Sequence, residues 1–149
     1  MVRHIEEGKK IISIDESGFQ QTKYGDYAWT RKGVQTRRNY YEPNKNVTLI
    51  CALSITGKLY YCLLKGSNNQ WTFSRYLEML ETQLTKETPE WRRDTILLLD
   101  NATIHDAPHT LKTIADLKLP VEYTGQASFN AVPIESVFMY LKKRYSAIH

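Results

Sequence analysis

The chain has 149 residues, 42% hydrophobic and 24% charged, a balance that suits one globular domain and excludes wholesale disorder. No apolar run nears the roughly 20 residues of a membrane helix, and residues 1–10 lack the apolar core of a secretory signal. Twenty basic against 16 acidic residues leave a net charge of +4, which permits a polyanionic partner without demanding one. Two cysteines, Cys51 and Cys62, make neither a disulfide framework nor a zinc cluster and read as reduced core residues.

Residues 10–14 hold the β-branched run Ile11-Ile12-Ser13-Ile14, which predicts a strand ending in Asp15-Glu16. Residues 17–46 read as irregular, with a small hairpin around Tyr27-Ala28-Trp29. Between residues 31 and 45, Arg31, Lys32, Arg37, Arg38 and Lys45 stand against Glu42 alone. Residues 47–55 read as a second strand with Val47, Leu49, Cys51, Leu53 and Ile55 on one face. A two-residue turn at Thr56-Gly57 sends residues 58–65 back, which would pair Cys51 with Cys62.

A helix follows over residues 71–86, because Phe73, Tyr76, Leu77, Leu80 and Leu84 form one stripe at helical spacing. Residues 95–99 are unbroken apolar, as in a strand buried on both faces, and run into Asp100. Pro108 opens a helix to about residue 116, residues 119–123 form a last strand, and Pro133 opens a final helix to about residue 148. The order is β-β-β-α-β-α-β-α, an α/β class with a five-stranded mixed sheet flanked by helices. No linker or repeat divides residues 1–149, which read as a single domain. Trp29, Trp71 and Trp91 read as packing residues.

Asp15 and Asp100 each end an apolar strand, and Glu135 lies in the first turn of the last helix. Ligands gather beyond the carboxyl ends of strands in such sheets. If the first and fourth strands are parallel neighbours, the two aspartates meet. Converging carboxylates repel one another unless a cation joins them, and an all-oxygen set suits Mg²⁺ or Mn²⁺. Each residue also has a plainer reading, as a turn residue, a loop cap or a favourable charge at a helix N-terminus. Glu16, beside Asp15, would point to the opposite face of the sheet. Lys142 lies seven residues after Glu135, on the same helix face.

Three motifs carry a resemblance. Ile12-Ser13-Ile14-Asp15-Glu16-Ser17-Gly18-Phe19 resembles the first acidic motif of the mariner-type DDE transposases. Leu98-Leu99-Asp100-Asn101-Ala102-Thr103-Ile104-His105 resembles their second, and Pro133-Ile134-Glu135-Ser136-Val137-Phe138 with Leu141-Lys142 their third. Thirty-four residues separate Asp100 from Glu135, the spacing of the Asp-Asp-Glu branch, and Trp29 with Gly33 resembles a further element of the family. The loop before Glu135 departs from the family pattern, with Phe129 and Val132 where Pro and Asn are usual.

The resemblance implies a ribonuclease-H-like fold and metal-dependent phosphodiester hydrolysis followed by strand transfer. Asp15, Asp100 and Glu135 would be the catalytic residues and the ligands of two Mg²⁺ or Mn²⁺ ions, supported by Asn101 and His105. Arg31, Lys32, Arg37, Arg38, Lys45 and Lys142 would contact DNA, the transposon ends and target being the partners. It also implies a homodimer, no membrane association, and residence in the nucleus of a eukaryote or the cytoplasm and nucleoid of a bacterium. The N-terminal helix-turn-helix region of the family is expected to be absent. The alternative is a domesticated, catalytically idle DNA-binding or scaffolding subunit.

Overall fold

The structure, a computed structural model, describes residues 8–19, 32, 46–124 and 133–148, with side chains to residue 144 in the last helix. Five strands form one sheet in the order β3-β2-β1-β4-β5. They are β1 (Lys10–Phe19), β2 (Val47–Ser54), β3 (Leu59–Lys65), β4 (Thr95–Leu99) and β5 (Val121–Tyr123). Strands β1, β2 and β3 meander antiparallel, whereas β4 and β5 run parallel to β1. Helices α1 (Gln70–Glu87) and α2 (Pro108–Asp116) belong to one face, and α3 (Pro133–Ile148) covers the other. No helix among the described residues is long and apolar enough to cross a membrane.

Helix α1 starts at a reciprocal capping box. Asn69 Oδ1 accepts from the N–H groups of Trp71 and Thr72, while Thr72 Oγ1 accepts from the Asn69 N–H. The predicted stripe Phe73, Tyr76, Leu77, Leu80 and Leu84 is buried throughout, against Ile12, Ile14, Ile50, Ala52, Leu97 and Leu99 of the sheet. Helix α2 begins with Pro108 and ends in a Schellman motif. Lys118 adopts a left-handed φ of 50°, and the Leu119 N–H returns to the Ile114 carbonyl at 3.0 Å. All five residues of β4 are buried, as an unbroken apolar strand predicts.

Four expectations need correction. Strand β1 does not stop at Glu16. Its pairing with β4 ends at Ser13↔Leu98, but it stays paired with β2 as far as Phe19↔Val47. Strand β2 buries both faces rather than one, because α1 takes Ile50 and Ala52 while α3 takes Leu49 and Cys51. The β2–β3 connection has three residues, Ile55, Thr56 and Gly57, with Gly57 at φ 86° and the Ser54 N–H on the Lys58 carbonyl. That glycine conformation suits a three-residue hairpin. It shifts the register by one, so Cys51 pairs with Tyr61 and Cys62 with Ile50. The cysteines therefore belong to opposite faces and are both free thiols. Trp91 is a core residue, but Trp71 is 61% exposed and rests on the His109 ring at 3.9 Å. Trp29 and the hairpin predicted around it lie outside the described residues.

Candidate active site

The register of β1 and β4 creates the site. Lys10 pairs with Thr95 and Ser13 with Leu98. Continued two residues past the last pair, the same offset brings Asp15 level with Asp100 on the neighbouring parallel strand. Alternation along β1 sends Ile12, Ile14 and then Glu16 towards α1, and turns Asp15 to the α3 face with Phe19. Asp15 Oδ1 accepts from the Glu16 N–H at 2.7 Å. Burial, above all, pushes the Asp15 carboxyl up to about 6, the charges of Glu16 and Asp100 adding to it against that N–H bond and His105. Such a shift is what burial of a carboxyl beside like charges produces. The neighbouring Cys51 is fully buried. Its thiol is pushed up to about 12 by burial and then by Asp15, so it stays protonated.

Asp100 lies just past β4, where the chain turns away from the sheet. Its Oδ1 accepts from the Ala102 N–H at 3.0 Å and lies 2.7 Å from His105 Nδ1, which donates to the Asp100 carbonyl oxygen at 3.0 Å. Among the described residues Oδ2 has no hydrogen-bond partner. The His105 ring is fully buried, 4.6 Å from the Phe73 ring. Its Nε2 faces Glu16 at 3.1 and 3.2 Å from the two carboxylate oxygens. Burial opposes a charge on the ring, but the Glu16 hydrogen bond and charge, with those of Asp100, outweigh it and push the pKa up to about 9. At neutral pH His105 is therefore an imidazolium donating from both nitrogens.

Glu135 is in the first turn of α3 and exposed. Ile134, the residue before it, packs with Phe138, Leu49 and Cys51, and Cys51 is the cross-strand neighbour of Asp15. The third acid thus belongs to the sheet face of Asp15. Even so, among the described residues no three Asp, Glu, His or Cys side chains are arranged to hold a metal ion. The structure brings Asp15 and Asp100 together and leaves Glu135 outside a three-ligand set. The Asp15–Asp100 pair fits a hard divalent cation by its donors, two carboxylates, and a cation would offset the burial that raises the Asp15 carboxyl.

Of the residues expected to support the site, His105 meets Asp100. Asn101 instead gives its amide to the Thr124 carbonyl at 2.9 Å, tying the loop after β4 to the end of β5. Lys32 and Lys142 are exposed, while Arg31, Arg37, Arg38 and Lys45 lie outside the described residues. Sequence reasoning missed Glu16 and Asn68 as parts of the site. The signal was present, because strand alternation already turned Glu16 away from Asp15.

The fold and the site define a class, and the comparisons agree with it. The profile of the DDE superfamily endonucleases matches residues 10–149, and the chain belongs to that family. Its fold is that of the Mos1 mariner transposase catalytic domain, with a TM-score of 0.68 at 21% identity over 99% of this chain and 66% of that one. The same domain with Raltegravir and Mg gives 0.66 at 20% identity, over 95% and 66% of the chains. The Mos1 mariner paired end complex with Mn gives 0.63 at 22% identity, over 98% and 51%. The chain thus spans about half the length of the Mos1 protein in that complex. No curated protein sequence matches the chain significantly. The five-stranded mixed sheet read from the element order is the one observed, and the fold is ribonuclease-H-like, as the resemblance implied.

Proposed function

We propose that the chain is the catalytic domain of a mariner-type transposase, cutting DNA at transposon ends and joining the freed 3′-hydroxyl to target DNA. One observation carries this reading. Asp15 and Asp100 come from distant parts of the chain, follow the last paired residues of neighbouring parallel strands, and lie near enough for the Asp100 charge to raise the Asp15 carboxyl. The chain's family and the Mg and Mn complexes of Mos1 support it. Asp15, Asp100 and Glu135 would hold two Mg²⁺ or Mn²⁺ ions. When bound, these ions would supply the Lewis acidity that activates the attacking water or hydroxyl and stabilises the departing oxygen.

The chain's own groups then have separate tasks. Asp15 sits on β1 and Asp100 directly follows β4, both borne by a sheet packed on both faces. Ala102 and His105 occupy one oxygen of Asp100. Lys142 and the basic residues between Arg31 and Lys45 would neutralise phosphates without reading sequence.

The test is nicking of supercoiled DNA in Mn²⁺, alongside cleavage of transposon-end DNA. The wild-type chain should nick, and Asp100→Asn, which keeps the shape but removes a charge, should abolish nicking and most of the Mn²⁺-induced rise in Tm. An Asp100→Asn protein that still nicks as wild type would sink the proposal.

A further inference from the structure

Glu16 directly follows a proposed metal ligand yet faces the other side of the sheet. There it lies between His105 Nε2 and the amide of Asn68, which donates to its Oε1 at 2.8 Å. Asn68 is itself held, since its Oδ1 accepts from the Asn69 N–H at 3.0 Å and from Thr72 Oγ1, at the cap of α1. A continuous polar line therefore runs from the start of α1 through Asn68, Glu16 and His105 to Asp100. Its middle member has no solvent exposure and is backed by the Phe73 ring.

We propose that Glu16 is a positioning residue for Asp100, acting through His105. The inference rests on the reading of Asp15 and Asp100 as metal ligands. A buried ion pair is a poor source of stability beside an apolar pair of the same volume. What it supplies is direction. With Glu16 as acceptor on Nε2, the ring has one orientation, and that orientation sets Nδ1 2.7 Å from Asp100 Oδ1. The Ala102 N–H meets the same oxygen. Two groups on one oxygen fix the plane of the carboxylate and leave Oδ2 for a cation. Without Glu16 the ring loses the partner that orients it, and the Asp100 carboxylate becomes free to rotate. The arrangement resembles the carboxylates that orient metal-bound histidines, whose loss weakens metal affinity about 10–100-fold; here the oriented group is an imidazole that in turn orients the ligand.

The experiment measures Mn²⁺ affinity by calorimetry and by the Mn²⁺ concentration giving half the thermal shift, on wild type, Glu16→Gln, Asn68→Ala and Asp100→Asn, each as the full chain. Nicking is followed against Mn²⁺ on the same samples. Glu16→Gln should weaken Mn²⁺ binding about 10–100-fold and raise the Mn²⁺ needed for half-maximal nicking by the same factor. The rate at saturating Mn²⁺ should be largely restored. A residue that merely supports the fold lowers Tm at every Mn²⁺ concentration and leaves the midpoint where it was. A folded Glu16→Gln protein with the wild-type midpoint overturns the proposal. Asn68→Ala removes the amide bond to Glu16, with the bonds from the Asn69 N–H and Thr72 Oγ1 at the α1 cap, and carries the test if Glu16→Gln does not fold. A several-fold rise in midpoint supports the proposal, and an unchanged one overturns it. An absent Mn²⁺ response in wild type, or a wild-type response in Asp100→Asn, overturns the ligand reading as well and so separates the two failures.

Discussion

Replacing Asp15 by Asn should make the metal-free chain more stable, and only towards neutral pH. The Asp15 carboxyl rises from its ordinary 3.8 to about 6, which corresponds to about 3 kcal/mol against its ionised form. Asp15 is only half-buried, so solvent screening reduces the expected gain to about 2 kcal/mol, or about 4–8 °C in Tm for a chain of this size. A carboxyl that binds its proton more tightly when folded contributes stability that is full below 3.8 and lost as pH rises through about 6. The variant should therefore match wild type near pH 3.5, pull ahead between pH 4 and 6, and hold a constant lead above pH 7. Asn keeps an Oδ1 able to accept from the Glu16 N–H, so the comparison isolates the charge. Urea unfolding in EDTA across this range measures it. Millimolar Mn²⁺ should then reverse the order, because a cation that binds only the folded wild-type site stabilises it by mass action. A lead that is the same at pH 3.5 and pH 8, or no lead at pH 8, would refute the reasoning.

Three further outcomes are expected. His105 has its pKa raised from 6.5 to about 9, so its favourable contribution is full below pH 6.5 and disappears as pH rises through 9. Thermal scans from pH 7 to 10 should show a falling Tm in wild type and a flatter profile in His105→Gln. Leu77, fully buried in the core between α1 and the sheet, should cost about 2–5 kcal/mol in urea unfolding when cut to Ala. Asn69→Ala removes the α1 cap, whose Oδ1 meets two backbone N–H groups, and should cost about 1 kcal/mol, seen by circular dichroism as a modest drop in Tm.

Features governed by local periodicity were legible in the sequence. The α1 stripe, the buried run of β4 and the starts of α2 and α3 at Pro108 and Pro133 all follow from side-chain spacing and backbone restriction, and each is found in place. Features set by distant partners were less so. The end of β1 depends on β2 continuing beside it after β4 has left. The hairpin register turns on one glycine conformation, because Thr56-Gly57 suits either a two- or a three-residue connection until the φ of 86° decides. Asp15 and Asp100 were legible as candidates because each follows an apolar run inside a recognisable motif. The role of Glu16 was not, since its partner His105 lies 89 residues away, and Asn101 found the Thr124 carbonyl just past β5, which no local pattern announces.

Among the described residues, the two sides of the sheet rest on packing of very different extent. Asp15 and Asp100 are borne by strands whose α1 side is a broad core of thirteen buried residues, whereas Glu135 is tied to the sheet through Leu49, Cys51, Ile134 and Phe138. A small satellite cluster opens at lower free energy than the body of the domain. Amide protons at the start of α3 should accordingly exchange with solvent before those of β1 and β4. The third acid can then shift towards or away from the aspartate pair while the rest of the domain stays folded. Substitutions at Phe138 would thus act first on the reach of Glu135, making the helix, rather than the sheet, the adjustable half of the proposed metal site.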